Sequence, residues 1–259
     1  MLDVGAGDEV ITVSHSYIAT ANSVKYCGAD PVFVDVELDT YNMDPAKIEA
    51  AITPKTKAIL CVHQIGMPCD VDAIVAIGKK HNLPVIEDAA CAIGSEIQID
   101  GKWERIGAPR GDIAAFSFHP RKIVSTGDGG MLTTRNPAYD KQFKLLRQHA
   151  MSVPDTVRHG SNKVIFETHP VLGYNYRLTD IQAAVGREQL KRLPGIVADV
   201  ASFMAGQGLN IVESGQFYDR GTGQFFLRMV VEPSGVFART VIYCPGLNAG
   251  SGAPSAATR

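Results

Sequence analysis

Long apolar segments are missing from this 259-residue sequence, and no run approaches the roughly 20 residues that a bilayer-spanning helix requires. The first residues, Met1 to Gly7, do not have the pattern of a signal peptide. Cysteine is sparse as well: five residues, an odd number, are scattered along the chain, which does not indicate a disulfide framework. These absences predict a cytoplasmic protein of a reducing compartment that has no membrane partner.

An excess of one charge is also missing. The 25 Lys and Arg residues are nearly balanced by 27 Asp and Glu residues, which leaves a formal net charge of −2. Such a balance, without clusters of basic residues, argues against nucleic acid or an anionic membrane as the main partner. The apolar share of 45% is typical of a globular protein that has one large core or one core and a smaller satellite.

Short apolar runs alternate with helical stretches over about the first 195 residues. Strands are predicted at Glu9–Ser14, Pro31–Val36, Ala58–Val62, Pro84–Glu87, Ile113–Phe118 and Gly130–Thr134. Helices are predicted at Ala19–Cys27, Asp44–Ile52, Val71–His81, Asn136–Gln148 and Thr179–Leu193. Several strands are apolar on both faces, which indicates an α/β domain whose parallel sheet is covered by helices on both sides.

The pattern changes after Pro194. Two further strands are predicted at Gln224–Glu232 and Val241–Tyr243. The small and polar residues of Gly250–Arg259 are typical of a mobile tail.

Three polar clusters follow predicted strands, and in an open α/β sheet ligands bind beyond the carboxyl ends of the strands. The clusters are Ser14–Tyr17, Glu87–Asp88 and Ser117–Lys122. A lysine, an acid, hydroxyl groups and an aromatic ring can therefore converge on one crevice. A pyridoxal phosphate enzyme needs this set: the acid keeps the pyridine nitrogen protonated, the lysine bonds to the cofactor, hydroxyl groups hold the phosphate and the ring stacks on the cofactor face.

Seven short segments occur in order between residues 5 and 196: Ala6–Val10, Tyr17–Ala21, Pro31–Asp35, Val85–Ala90, Phe116–Lys122, Thr126–Gly130 and Gly173–Arg177. Together they closely resemble the DegT/DnrJ/EryC1/StrS sugar aminotransferase family, a branch of the fold-type-I pyridoxal phosphate enzymes. The resemblance implies a three-layer α/β sandwich with a mostly parallel mixed sheet. Residues 1–196 would be the cofactor-binding large domain without its usual N-terminal part. Residues 197–259 would be a remnant of the small C-terminal domain that ends in a flexible tail.

The resemblance also implies roles for individual residues. Lys122 would bond to pyridoxal 5'-phosphate and then act as acid and base in the 1,3-proton shift. Asp88 would pair with the pyridinium nitrogen, and Ser117 would bind the phosphate. Tyr17 would lie against the cofactor ring. Asn175 would reach the phosphate of the neighbouring subunit's cofactor, which implies a homodimer with shared sites.

Cys91 departs from the family pattern, because it replaces the Gln or His that is common three residues after the pyridinium-pairing Asp. A thiol at this position is compatible with packing on the cofactor ring. Some family members have His at the lysine position and perform dehydration, so Lys122 places this chain among the transaminases.

Two functions remain open on this resemblance. The first is a pyridoxal phosphate-dependent aminotransferase of amino-sugar biosynthesis, with glutamate as the expected donor and a nucleotide-linked keto-sugar as the acceptor. The second is a truncated, inactive member that acts at most as a binding or interaction remnant. The second is considered because the family's phosphate-binding helix N-terminus before Gly5 and its complete small domain are not matched in this sequence.

Each candidate residue also has a simpler structural interpretation. Asp88 can cap a helix that begins at Ala89, and Ser117 can be a satisfied hydroxyl at a strand end. Tyr17 can be a core aromatic whose hydroxyl reaches solvent, and Asn175 can be a turn residue.

A zinc site is the remaining alternative. Cys61, His63, Cys69 and Cys91 could supply ligands, but their spacing matches no standard finger. The sequence favours small buried thiols, and no metal is predicted. Gly127, Gly129 and Gly130 are predicted to form a turn that allows a close backbone approach near Lys122.

Overall fold

A computed structural model describes residues 1–99, 101–153, 157–158, 160–206, 209–219, 224–233 and 240–245. Its elements in chain order are β1 (Glu9–Val13), α1 (Ile18–Tyr26), β2 (Asp30–Val34), α2 (Ile48–Ala51), β3 (Thr56–Val62), α3 (Val71–His81), β4 (Val85–Asp88), β5 (Glu96–Ile99), β6 (Lys102–Arg105), β7 (Ile113–Ser117), β8 (Gly130–Thr133), α4 (Pro137–Leu146), α5 (Asp180–Gly206), β9 (Leu209–Asp219), β10 (Gln224–Pro233) and β11 (Thr240–Pro245). None of the helices described here combines the length and apolar character needed to cross a membrane.

A six-stranded sheet forms the centre of the molecule, in the order β2-β1-β3-β4-β7-β8. The first five of these strands are mutually parallel, and only β8 runs antiparallel to its neighbour β7. The prediction of a mostly parallel mixed sheet in an α/β fold is thereby confirmed. Parallel neighbours require crossover connections; α1, α2 and α3 lie in those from β1 to β2, β2 to β3 and β3 to β4, whereas the connection from β4 to β7 contains strands β5 and β6.

Helices cover both faces of this sheet, because the side chains of β1 and β3 alternate between two cores. On one face, Ile11 and Ile59 pack with Ile48 of α2 and Ile74 of α3. On the other face, Val10 packs in a cluster with Val24 of α1. Burying each such side chain is worth about 1.5–3 kcal/mol relative to exposure, and the two cores together produce the predicted three-layer arrangement.

Local signals account for the helix ends. The Asp70 carboxylate accepts a hydrogen bond from the Ala73 amide at 3.1 Å, and α3 ends at Asn82, which has a left-handed φ of 55°. The Asn136 side chain caps α4 through the Ala138 amide at 2.9 Å. Asp44 accepts a bond from the Ala46 amide at 2.9 Å and begins a 3₁₀ turn ahead of α2. The helices and strands predicted over the first 148 residues are confirmed to within two residues at each end, except that the helix predicted from Asp44 begins as a 3₁₀ turn at Pro45–Lys47 and becomes α-helical only at Ile48.

The β5–β6 hairpin was not predicted. Glu96–Ile99 pairs antiparallel with Lys102–Arg105, and Gly101 in the connecting turn has a φ of +77°. The two strands are short, and five of their eight residues are charged or amide side chains (Glu96, Gln98, Lys102, Glu104 and Arg105). Such segments have no apolar run, and their pairing becomes visible only in three dimensions.

Helix α5 differs from its prediction. The sequence predicts an end at Leu193, but the helix continues through Pro194 to Gly206. Proline removes one helical hydrogen bond and crowds the preceding turn, so it predicts a break. In the structure Leu193 is buried in a cluster with Phe118 and Val124, which holds the helix across the proline. Tertiary packing overrides the local preference here.

The last three strands form a separate antiparallel sheet in the order β11-β10-β9. The strands predicted at Gln224–Glu232 and Val241–Tyr243 are confirmed as β10 and β11, whereas β9 was not predicted. The predicted tail at residues 250–259 lies outside the described residues. The division into domains at residue 196 stays a prediction.

We predict that Gly78→Ala destabilises the protein although alanine favours helix by about 1 kcal/mol. An added Cβ at Gly78 in α3 would lie 2.7 Å from both the Leu83 carbonyl oxygen and a Val85 methyl group. We expect a net loss of about 1–3 kcal/mol, measured by urea unfolding. The matched control is Gly195→Ala in α5, where an added Cβ meets no atom within 4 Å. Equal stability of the two variants would contradict the packing described here.

Candidate active site

Three parallel strands carry the predicted site residues to one edge of the sheet. Asp88 is the last residue of β4, and Ser117 is the last residue of the adjacent strand β7. Tyr17 lies between β1 and α1, at the residue that precedes the helix. Since these strands run in the same direction, their carboxyl ends and the loops that follow them share that edge.

The Asp88 carboxylate lies half-buried and is oriented by two hydrogen bonds. Its Oδ2 accepts a bond from the Thr20 hydroxyl at 2.9 Å, and its Oδ1 accepts a bond from the Ala90 amide at 3.1 Å. No helix begins at Ala89, so the carboxylate closes a turn and the alternative role as a helix cap is wrong. An ionised carboxylate has about four acceptor positions, and Asp88 therefore keeps capacity for a further N–H donor.

Thr20 is a site residue that the sequence reasoning missed. It is buried in α1, and its hydroxyl also lies 2.7 Å from the Ser16 hydroxyl. A threonine on a short helix carries no sequence signal for this role, because the contact spans 68 residues and depends on how α1 packs on the sheet.

The Lys122 amine contacts the loop that follows Asp88 at the end of β4. Its Nζ donates to the Cys91 Sγ at 2.9 Å, and Cys91 follows Asp88 by three residues. Lys122 is half-buried, and its backbone amide donates to the His119 carbonyl at 2.9 Å. Cys91 is an exposed thiol, so its interpretation as a small buried side chain is wrong. The structure thus brings Asp88, Cys91 and Lys122 into one group.

Ser117 and the glycine turn lie beside this group. The Ser117 hydroxyl accepts a bond from the His119 amide at 3.3 Å and can still donate its own hydrogen. Gly130 pairs with Ser117 across β7 and β8, and an added Cβ at Gly130 would lie 2.6 Å from the Phe116 carbonyl oxygen. The predicted close backbone approach is confirmed at Gly130, whereas an added Cβ at Gly127 would meet no atom within 4 Å.

Tyr17 and Asn175 are placed differently from the other candidates. Tyr17 is 74% exposed, which excludes the core interpretation and leaves its ring free to contact a ligand. Asn175 is also exposed, and its backbone bridges to Gln148 on a separate loop. Among the residues that the structure describes, no hydrogen bond joins Asn175 to Asp88 or Lys122.

A buried polar cluster lies behind the candidate site. His63 Nε2 contacts Glu87 Oε2 at 3.1 Å, and His63 Nδ1 accepts a hydrogen bond from the Cys69 amide at 3.2 Å. Burial lowers the pKa of the His63 ring, whereas Cys69 and Glu87 raise it, with a net rise to about 9. The hydrogen bond between the two thiols raises the pKa of Cys61 and lowers that of Cys69 to about 6.

The zinc alternative is not supported by this arrangement. Cys61, His63 and Cys69 are buried together, whereas Cys91 is exposed and contacts Lys122. Within the described part of the chain, no group of three or more His, Cys, Asp or Glu side chains is placed to hold a metal ion. The prediction of buried thiols is confirmed for Cys61 and Cys69.

A lysine amine and a half-buried carboxylate at the carboxyl edge of a mostly parallel sheet are groups that pyridoxal phosphate enzymes with an α/β fold use to hold their cofactor. Within this class the chain belongs to the DegT/DnrJ/EryC1/StrS aminotransferase family, whose sequence profile matches residues 1–205.

Comparisons with individual proteins agree with this assignment. The chain is 47% identical over 192 residues to GDP-perosamine synthase of Caulobacter vibrioides; the match covers 74% of this chain and 48% of the relative. It superimposes with a TM-score of 0.67 and 34% identity on the aminotransferase from Psychrobacter cryohalolentis, covering 88% of this chain and 61% of that one. Spr1654 from Streptococcus pneumoniae, in its PMP form, gives a TM-score of 0.68, 28% identity, and coverage of 88% and 63%. The chain therefore spans about half the length of the curated relative it matches.

We predict that Thr20→Val lowers the free energy of unfolding by about 1.5 kcal/mol. The reason is that the Asp88 carboxylate, a charged acceptor, loses the hydrogen bond from the Thr20 hydroxyl. Thr20→Ser keeps the hydroxyl and is expected to retain most of the stability. Urea unfolding of the three proteins without added ligand measures the difference. If the serine and valine variants unfold at the same urea concentration, the hydroxyl does not support Asp88.

Proposed function

We propose that this chain forms the cofactor site of an aminotransferase that moves an amino group from an amino acid to a nucleotide-linked keto-sugar. Glutamate is the proposed donor. The contact that carries the proposal is the 2.9 Å hydrogen bond from Lys122 Nζ to Cys91 Sγ, because Cys91 lies in the loop that follows Asp88. The sugar acceptor is supported by the 47% identity to GDP-perosamine synthase. The proposal includes a cytoplasmic location and a cofactor-binding domain that comprises residues 1–196.

The residues at the sheet edge fit pyridoxal phosphate by their chemistry. Asp88 has acceptor capacity left for a pyridinium N–H, and its orientation is held by Thr20. Ser117 has a hydroxyl hydrogen to donate to a phosphate oxygen, and the exposed ring of Tyr17 offers a flat surface. Pyridoxal phosphate, when bound, supplies a ring that takes up the electron pair released at a substrate carbon.

Lys122 has two roles in this proposal. Its Nζ would hold the cofactor covalently, by condensation with the cofactor aldehyde and loss of water, and would be freed when the amine of the donor takes its place. The freed Nζ would act as base and then as acid: it would take the proton from the substrate carbon and return it two atoms further along, which is the 1,3-proton shift. Asp88 would keep the pyridine nitrogen protonated, because a nearby carboxylate favours the charged N–H.

A second copy of the chain is the proposed partner. Exposed apolar side chains lie on both sides of Asn175 in the sequence: Val171, Leu172, Tyr174, Tyr176 and Ile181. Contiguous exposed apolar surface of this kind marks interaction sites. Tyr174 and Tyr176 stack with ring centroids 5.1 Å apart, so the loop presents a flat aromatic surface. In a homodimer this loop would bring Asn175 to the phosphate of the neighbouring subunit's cofactor.

The first test locates the covalent bond. We expect the purified chain with pyridoxal phosphate to show the visible absorption of lysine-bound cofactor, and borohydride reduction to fix the added mass on the peptide that contains Lys122. Lys122→Ala should abolish both signals, whereas the control Lys102→Ala, an exposed lysine on β6, should keep them. The absence of label at saturating cofactor would favour the alternative, a binding remnant without turnover.

The second test concerns assembly. Sedimentation equilibrium should show a dimer at the protein concentrations at which cofactor binds, because Asn175 contributes from the other subunit. Asn175→Ala is expected to weaken cofactor binding by about tenfold or more while the dimer persists, as the loss of one hydrogen bond to a charged phosphate implies. Tight binding of cofactor by a monomer would exclude the shared site.

A further inference from the structure

Glu87 is a carboxylate buried directly behind the candidate site. It is 1% exposed, and each of its oxygens has a partner: Oε1 accepts a bond from the Gly111 amide at 2.7 Å, and Oε2 lies 3.1 Å from His63 Nε2. A buried carboxylate is costly unless it is fully hydrogen-bonded, so these two contacts hold the side chain in a single position.

His63 is completely buried as well. In the neutral ring Nδ1 accepts a bond from the Cys69 amide at 3.2 Å, and in the protonated ring the Nδ1 hydrogen can be donated to the Cys69 Sγ, 3.5 Å away. Nε2 carries a hydrogen in the tautomer that the contact with the Cys69 amide requires and also in the doubly protonated ring. In both forms His63 Nε2 therefore donates to Glu87.

The same histidine also holds the main chain of Asp88. The backbone amide of His63 donates to the Asp88 carbonyl at 3.0 Å, while its ring bonds to the neighbouring side chain of Glu87. The contacts form a closed loop that runs from the Asp88 carbonyl through His63 to the Glu87 carboxylate and back along β4. Glu87 and Asp88 point to opposite faces of the sheet, since side chains alternate along a strand.

We propose that His63 and Glu87 are positioning residues for Asp88: they clamp the end of β4 from one face of the sheet so that the Asp88 carboxylate is held for the cofactor on the other face. Neither residue touches the cofactor in this arrangement. The inference deepens the proposed function and rests on it, because the effect is read at the ring nitrogen that Asp88 binds.

The clamp has a measurable consequence for cofactor binding. His63→Leu removes the donor to Glu87 while it keeps an apolar side chain in the core. We expect the dissociation constant of pyridoxal phosphate to rise about tenfold, by analogy with metal sites, where loss of a group that orients a ligating residue costs about 10- to 100-fold in affinity. We also expect the pH midpoint of the visible absorption of bound cofactor to shift, because Asp88 no longer pairs with the ring nitrogen in the same geometry.

Three variants separate positioning from general stability. His63→Gln has an amide N–H that can reach Glu87 and should recover most of the binding and the original pH midpoint. Glu87→Gln changes one atom and leaves a single oxygen for two donors, so it should weaken binding several-fold in the same direction. Ile59→Val, a fully buried change in the same core, should lower the unfolding midpoint without altering either readout.

The outcomes distinguish this inference from the proposed function. If the unmodified chain takes up no label on Lys122, the proposed function fails and the inference falls with it. If the chain is labelled but His63→Leu and Glu87→Gln bind cofactor as it does, with an unchanged pH midpoint, the inference alone is overturned. Should His63→Leu not fold, Glu87→Gln and its comparison with Ile59→Val decide the question by the same criterion.

Discussion

The parallel direction of β1, β3, β4 and β7 is the constraint on which the site depends. Because these strands share one direction, the loops that follow them must emerge at one edge, however far apart they lie in the chain. Asp88 at the end of β4, Ser117 at the end of β7 and Thr20 in the helix after β1 meet there for this reason. Lys122 joins this group of residues through its hydrogen bond to Cys91.

The buried carboxylate of Glu87 has a second structural consequence. A charge removed from water destabilises a fold by several kcal/mol unless hydrogen bonds replace its hydration, and here His63 and Gly111 supply them. Those two partners come from the loop after β3 and the segment before β7, so one side chain ties three consecutive strands of the sheet together. Asp88 follows Glu87 directly, so these bonds connect the end of β4 that carries Asp88 to segments of both neighbouring strands.

Local chemistry explains which elements could be predicted. Helix starts can be predicted at Asp70, Asn136 and Asp44, because each side chain accepts a hydrogen bond from a backbone amide in the first turn that follows. This interaction depends on no other part of the chain. The β5–β6 hairpin escaped prediction because its strands have few apolar side chains and pair only with each other. Helix α5 crosses Pro194 because Leu193 is anchored by distant residues, which no local rule contains.

The site divides in the same way. The sequence alone determined the alternation of strands and helices, the family motifs and the identity of Lys122, Asp88, Ser117 and Tyr17 as candidates, since these follow from residue type and order. Tertiary structure alone decided that Thr20 orients Asp88, that Cys91 is exposed against Lys122 and that His63 meets Glu87. The physical reason is distance along the chain: these pairs are 24 to 68 residues apart, and only the packing of strands and helices brings their atoms within hydrogen-bonding range.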